Sequence, residues 1–170
     1  MLRVIFDTNI YGHLLKEPNS KEIEEKIKNE KGFIVYGYAL IRNEIRAIPK
    51  VTKLSKRARI LLLNMYDRIT EGHFLKDSIN ITELAKKYYN HYRNLGGIYN
   101  WDTGIRIDFM IVACASFHGI DIVYSYDNKT LLSKEALKAY KHINIKENRR
   151  TPYFLSYDDL LLKFRNQSNP

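Results

Sequence analysis

Arg3-Val4-Ile5-Phe6-Asp7-Thr8-Asn9 is an apolar run that stops on an acid and two further polar residues. The run is too short for an amphipathic helix and does not alternate, so it reads as a strand buried on both faces that ends in a polar turn. Near the other end of the chain the same grammar returns: Gly119 hands over to Ile120-Asp121-Ile122-Val123-Tyr124, and that strand closes on Ser125-Tyr126-Asp127. Strands of this kind belong to parallel sheets covered by helices.

Working outward, helical spacing appears at Ile10, Leu14 and Leu15, and again at Ile23 and Ile27 beyond the break at Pro18-Asn19-Ser20. Gly32 precedes a second strand, Phe33-Ile34-Val35-Tyr36, and 39–48 reads as a helix stopped by Pro49, which has no backbone donor. The pattern predicts helices over 54–69, 81–95, 107–118 and 133–142, a loop over 98–104, and short strands at 143–145 and 153–155. Ser156, Asp158 and Asp159 begin a last helix, with acids at its positive dipole end. Alternating strands and helices predict an α/β fold, three layers deep with a central, mainly parallel sheet, formed by a single domain over 1–165, with 166–170 as a frayed tail.

Composition narrows the function classes. The 170 residues are 45% hydrophobic and 28% charged, which excludes disordered and fibrous readings. A lone Cys114 cannot form an internal disulfide, so a reducing, cytoplasmic setting is expected, and no apolar run is long enough to span a membrane. The net charge of +9 favours polyanionic partners. Its densest stretch carries Arg42, Arg46, Lys50, Lys53, Lys56, Arg57 and Arg59 against Glu44 alone; this is either a solvated helix face or a phosphate-tracking patch. Tyr88, Tyr89 and Tyr92 read as packing residues ahead of base-stacking ones. The five histidines read as isolated, and no glycine-rich phosphate loop, nucleophile elbow or zinc spacing is present.

The acids are placed more tellingly. Asp7 and Asp127 follow strands and so emerge at the carboxyl edge of a parallel sheet, where ligand crevices form. Asp108 begins an apolar helix, and Glu44 lies among Ile41, Ile45 and Ile48. Each alone has a structural explanation as a turn residue, a first-turn acid or half of an ion pair with Arg42 or Arg46. Four carboxylates converging in one crevice would instead repel one another unless cations held them, and oxygen ligands of this kind suit Mg²⁺ or Mn²⁺.

In this order and spacing, the strand ending in Asp7-Thr8-Asn9, Glu44 in the helix after the second strand, Asp108 leading into Ile111-Val112-Ala113-Cys114-Ala115, and Ser125-Tyr126-Asp127 closing a later strand resemble the PIN-domain ribonucleases. The resemblance spans 1–155. It implies a metal site of Asp7, Glu44, Asp108 and Asp127 holding Mg²⁺ or Mn²⁺, with Asn9 and Ser125 orienting the carboxylates. It implies hydrolysis of RNA, and, as in the virulence-associated-protein-C toxins, a homodimer silenced by a cognate antitoxin. Arg42, Arg46, Lys50, Lys53 and Arg57 become candidate RNA contacts. Two departures stand out: the chain is longer than compact toxins, with the excess expected between Arg46 and Asp108, and Asp102 competes with Asp108 as a ligand. The rivals are a PIN-like module that binds RNA or protein without cutting, and a phosphatase with a nucleophilic Asp after its first strand. The latter wants a second Asp where this chain has Asn9.

Overall fold

The computed structural model describes residues 1–48 and 53–165. The chain runs β1 (Leu2–Phe6), α1 (Thr8–Lys16), α2 (Ser20–Lys28), β2 (Phe33–Tyr38), α3 (Ala39–Ala47), α4 (Lys53–Thr70), β3 (Phe74–Leu75), α5 (Ile79–Asn94), a π-helical segment (Trp101–Ile105), α6 (Arg106–Phe117), β4 (Ile122–Tyr124), α7 (Lys134–Lys146), β5 (Tyr153–Leu155) and α8 (Tyr157–Arg165). The frayed tail expected over 166–170 lies outside the described residues.

The five strands form one sheet in the order β3-β2-β1-β4-β5. Every pairing is parallel, so the sheet is all-parallel rather than mainly so. The chain builds outward from β1 to β2 and β3, then crosses to the other side for β4 and β5. The reversal lies between β1 and β4, where Phe6 is in register with Tyr124. Such a switch point opens a crevice at the carboxyl ends of the strands, and Asp7 and Ser125 are the next residues on either side of it.

Val4, Ile5 and Phe6 are fully buried, as the apolar run requires. On one flank α1, α2 and α4 pack together with α8 against α2, and on the other α5, α6 and α7 pack together. Helix α6 is buried from Phe109 to Ser116, which is why its sequence is apolar all round instead of amphipathic. Each large side chain buried in this way contributes about 1.5–3 kcal/mol. Tyr88 and Tyr92 are in the core, with Tyr88 and Phe109 meeting edge to face, so the tyrosines of α5 pack as expected.

Three local expectations are corrected. Residues 143–145 are not a strand: α7 continues to Lys146, because buried Asn144 accepts from the Tyr88 hydroxyl and donates to Ser116 and Thr151. Those tertiary bonds outweigh the β preference of two isoleucines. The loop expected over 98–104 contains the π-helical segment, closed by a bond from the Ile105 N–H to the Asn100 carbonyl. Strand β3 went unread because two residues carry no periodicity.

Candidate metal centre

All four acids singled out in the sequence stand at the carboxyl edge of the sheet or on helices that face it. Asp7 is the residue after β1 and caps α1, accepting from the Thr8 N–H at 2.7 Å. It is 4% exposed. Its second oxygen accepts from the Ser125 hydroxyl at 2.7 Å and from the Asn9 amide. The hydroxyl oxygen of Ser125, fully buried, also accepts from the Asp127 N–H at 3.0 Å, and the Asn9 side-chain Oδ1 accepts from the Tyr126 N–H at 3.0 Å. Asn9 and Ser125 therefore staple the end of β1 to the turn after β4. Tyr126, between them and half exposed, lays its ring against His13 at 4.3 Å.

Asp127 folds its own turn: its carboxylate accepts from the N–H groups of Lys129 and Thr130 at 2.8 and 2.9 Å and from the Thr130 hydroxyl. Glu44, on α3, does not pair with Arg42 or Arg46 but accepts from the Thr8 hydroxyl. Asp108 is the third residue of α6, with Thr130 near enough to favour its charged form.

Electrostatics ties the four together. Burial pushes the Asp7 carboxyl up to about 6, opposed by the bonds from Ser125 and Thr8 and reinforced by the charges of Glu44 and Asp127. Burial pushes Asp108 up to about 8, opposed by Thr130 and reinforced by Asp7, Asp127 and Glu44. Such a cluster must take up protons or a cation to relieve its own repulsion. Among the described residues, no three Asp, Glu, His or Cys side chains are grouped closely enough to hold an ion; hydrogen-bond donors reach oxygens of Asp7, Glu44 and Asp127. The donor set itself, four carboxylates with no soft ligand, fits a hard divalent cation.

Asp102, the rival of Asp108, is exposed in the π-helical segment. It lines an open groove of about 440 Å³ that also takes in Glu44, Trp101 and Arg106. This groove was not legible in the sequence, although Trp101 beside Asp102 was the signal for it. Of the candidate RNA contacts, Arg42 is occupied by a two-pronged ion pair with Asp67 at 2.8 and 2.9 Å, whereas Arg46 and Arg57 are exposed. Lys50 and the side chain of Lys53 lie outside the described residues. The histidines are less isolated than expected, since His91 and His142 stack at 4.1 Å.

No protein-family model and no curated protein matches the sequence. Solved structures do match. VapBC2 from Rickettsia felis, bound to a DNA fragment from its promoter, superposes with a TM-score of 0.59 at 14% identity, covering 91% of this chain and 98% of that one. DNA-bound VapBC from Salmonella typhimurium gives 0.57 at 15%, covering 92% and 99%. VapBC-1 from nontypeable Haemophilus influenzae gives 0.55 at 16%, with the same coverage. The excess length over these structures is therefore small. At such identities the likeness speaks for the backbone and not for the chemistry, and its conclusion is that this chain has the VapC-like PIN-domain fold.

Proposed function

We propose that the chain is a divalent-cation-dependent endoribonuclease and the toxin member of a toxin–antitoxin pair. What supports this reading is that the carboxyls of Asp7 and Asp108, raised chiefly by burial, are both raised further by the charges of Glu44 and Asp127. A purely structural role gives no reason to place four acids against one another. A basic exterior supports it: setting those four aside leaves 28 basic side chains against 15 acids, a surface that draws in a polyanion around an acidic pocket.

In this account Asp7, Glu44, Asp108 and Asp127 hold Mg²⁺ or Mn²⁺. When bound, the cation supplies Lewis-acid activation of the phosphodiester and of the attacking water. The chain's own residues do the positioning. Ser125 and Asn9 fix the Asp7 carboxylate, Thr8 fixes Glu44, and Thr130 fixes Asp127. Burial favours the protonated form of Asp108 in the cation-free chain, and loading would displace that proton. No side-chain nucleophile is needed. Exposed Arg46 and Arg57 steer the RNA backbone.

The VapBC neighbours are complexes, which supports a cognate antitoxin as partner here; a homodimer and a cytoplasmic location complete the proposal. Among the described residues, no helix is long and apolar enough to cross a membrane. The test is purified protein on a mixed RNA pool with Mg²⁺, Mn²⁺ or EDTA. Cation-dependent internal cuts, lost on chelation, are expected. RNA retained uncut under every condition would favour the binding-module reading, and hydrolysis of small phosphate esters through a phospho-aspartate would favour the phosphatase.

A further inference from the structure

Beside the acids lies a second concave feature. Leu40 and Glu44, one turn apart on α3, form one wall of the 440 Å³ groove; Trp101, Asp102, Thr103 and Arg106 form the other. Glu44 belongs both to the groove and to the acid cluster, and Arg106 is two residues from Asp108, so the groove opens directly onto the proposed cleavage site.

Its outer wall packs against α5. Gly97 sits so close to Tyr92 that an added Cβ would lie 2.2 Å from the ring. The Tyr92 hydroxyl accepts from the Tyr99 N–H at 3.2 Å, and Trp101 leans on Tyr89 at 5.4 Å. The tyrosines of α5 thus hold the π-helical segment in place, and π-helical turns recur at functional sites. Yet the polar groups this wall presents are not used by the fold. Asp102, Thr103 and Arg106 are exposed and make no side-chain hydrogen bond or ion pair with the described residues. A preformed cleft with an aromatic side, a guanidinium and uncommitted donors and acceptors has the chemistry of a nucleotide site: a π-face for the base, a cation for the phosphate and polar groups for the base edge.

Resting on the nuclease reading above, we infer that this groove receives one unpaired nucleotide flanking the scissile phosphate, with its base against Trp101 and its phosphate at Arg106. The groove then selects where an RNA is cut, favouring a splayed, single-stranded position over a stacked duplex.

The test uses Asp127→Asn protein, expected to hold RNA without cutting it, and a labelled single-stranded RNA carrying one abasic nucleotide walked across the cut position. Loss of the base at one flanking position should weaken binding about tenfold, the scale of one base–aromatic stack. In Trp101→Ala the same base should no longer matter. Arg106→Gln should weaken every RNA by several-fold, and Leu40→Trp, which fills the groove from α3, should reproduce the loss if Trp101→Ala fails to fold. In cleavage-competent protein, Trp101→Ala should redistribute the cut positions within the pool. Affinity and cut positions indifferent to all three substitutions, in a protein that does cut RNA, would overturn the inference and leave the nuclease intact. A protein that cuts no RNA would instead remove the reading on which it rests.

Discussion

The two halves of the acid cluster are built differently. On the side of β1 and β4, Asp7 is among the most buried polar groups of the molecule and is surrounded by donors from Thr8, Asn9 and Ser125. On the side of α3 and α6, Asp108 is less deeply buried but has only Thr130 to oppose its desolvation. The deeper acid is the easier to ionise, at about 6 against about 8. Hydrogen bonds to the charged form, and not depth, decide the order. One half is a stapled, ready carboxylate; the other favours the protonated form and opens onto the groove, so under the proposed function a cation would have to displace that proton.

Removing a proposed ligand is the largest perturbation. Asp127→Asn should cut RNA hydrolysis about a thousandfold, several kcal/mol of lost transition-state stabilisation, with the fold kept because Asn retains the acceptor for Lys129 and Thr130. Initial rates and a thermal melt check both parts. Next comes the staple. Ser125→Ala removes donors from the better-supported half, so Asp7 should rise above about 6 and cation affinity should fall about 10- to 100-fold. A Mn²⁺ titration repeated across pH reads this, and unchanged affinity would mean that the two halves do not differ in the way argued.

The third prediction concerns pH. The folded Asp108 carboxyl is raised from 3.8 to about 8, so the folded state binds the proton more tightly than the unfolded chain. Its contribution to stability is present in full below pH ~4 and is lost as pH rises toward 8. Without added cation, Asp108→Asn should therefore raise the melting temperature at pH 8 by several degrees and leave it nearly unchanged at pH 4. Addition of Mn²⁺ should stabilise the native chain at pH 8 more than this variant, which lacks one of the four carboxylates. The smallest effect is expected at Arg42, whose ion pair with Asp67 is open to solvent on both sides. Arg42→Ala should change stability by less than about 1 kcal/mol, whereas Arg57→Ala should reduce the salt slope of RNA binding by about 0.7.

The sequence was most readable where local chemistry decides. A strand that stops on Asp7-Thr8-Asn9, and another that stops on Ser125-Tyr126-Asp127, announce their own turns, and both lie beside the switch point. Partnerships set by tertiary distance were not readable. The bond from Thr8 to Glu44 joins residues 36 apart in the chain, and Arg42 finds Asp67 across 25 residues. Asn144 shows the same limit, its buried bonds to Tyr88 and Ser116 keeping α7 helical where isoleucines suggested a strand. The role of Thr130 was available in principle, since an Asp followed three residues later by Thr favours a closed turn.

Calorimetric titration of Mn²⁺ into the wild-type chain at pH 7, in two buffers of different ionisation enthalpy, tests the central claim most directly. The account predicts saturable binding with release of about one proton, from the Asp108 carboxyl. It further predicts binding without that release in Asp108→Asn and severe weakening in Asp7→Asn. Absence of saturable binding, or binding of equal strength with Asp7 replaced, would contradict it.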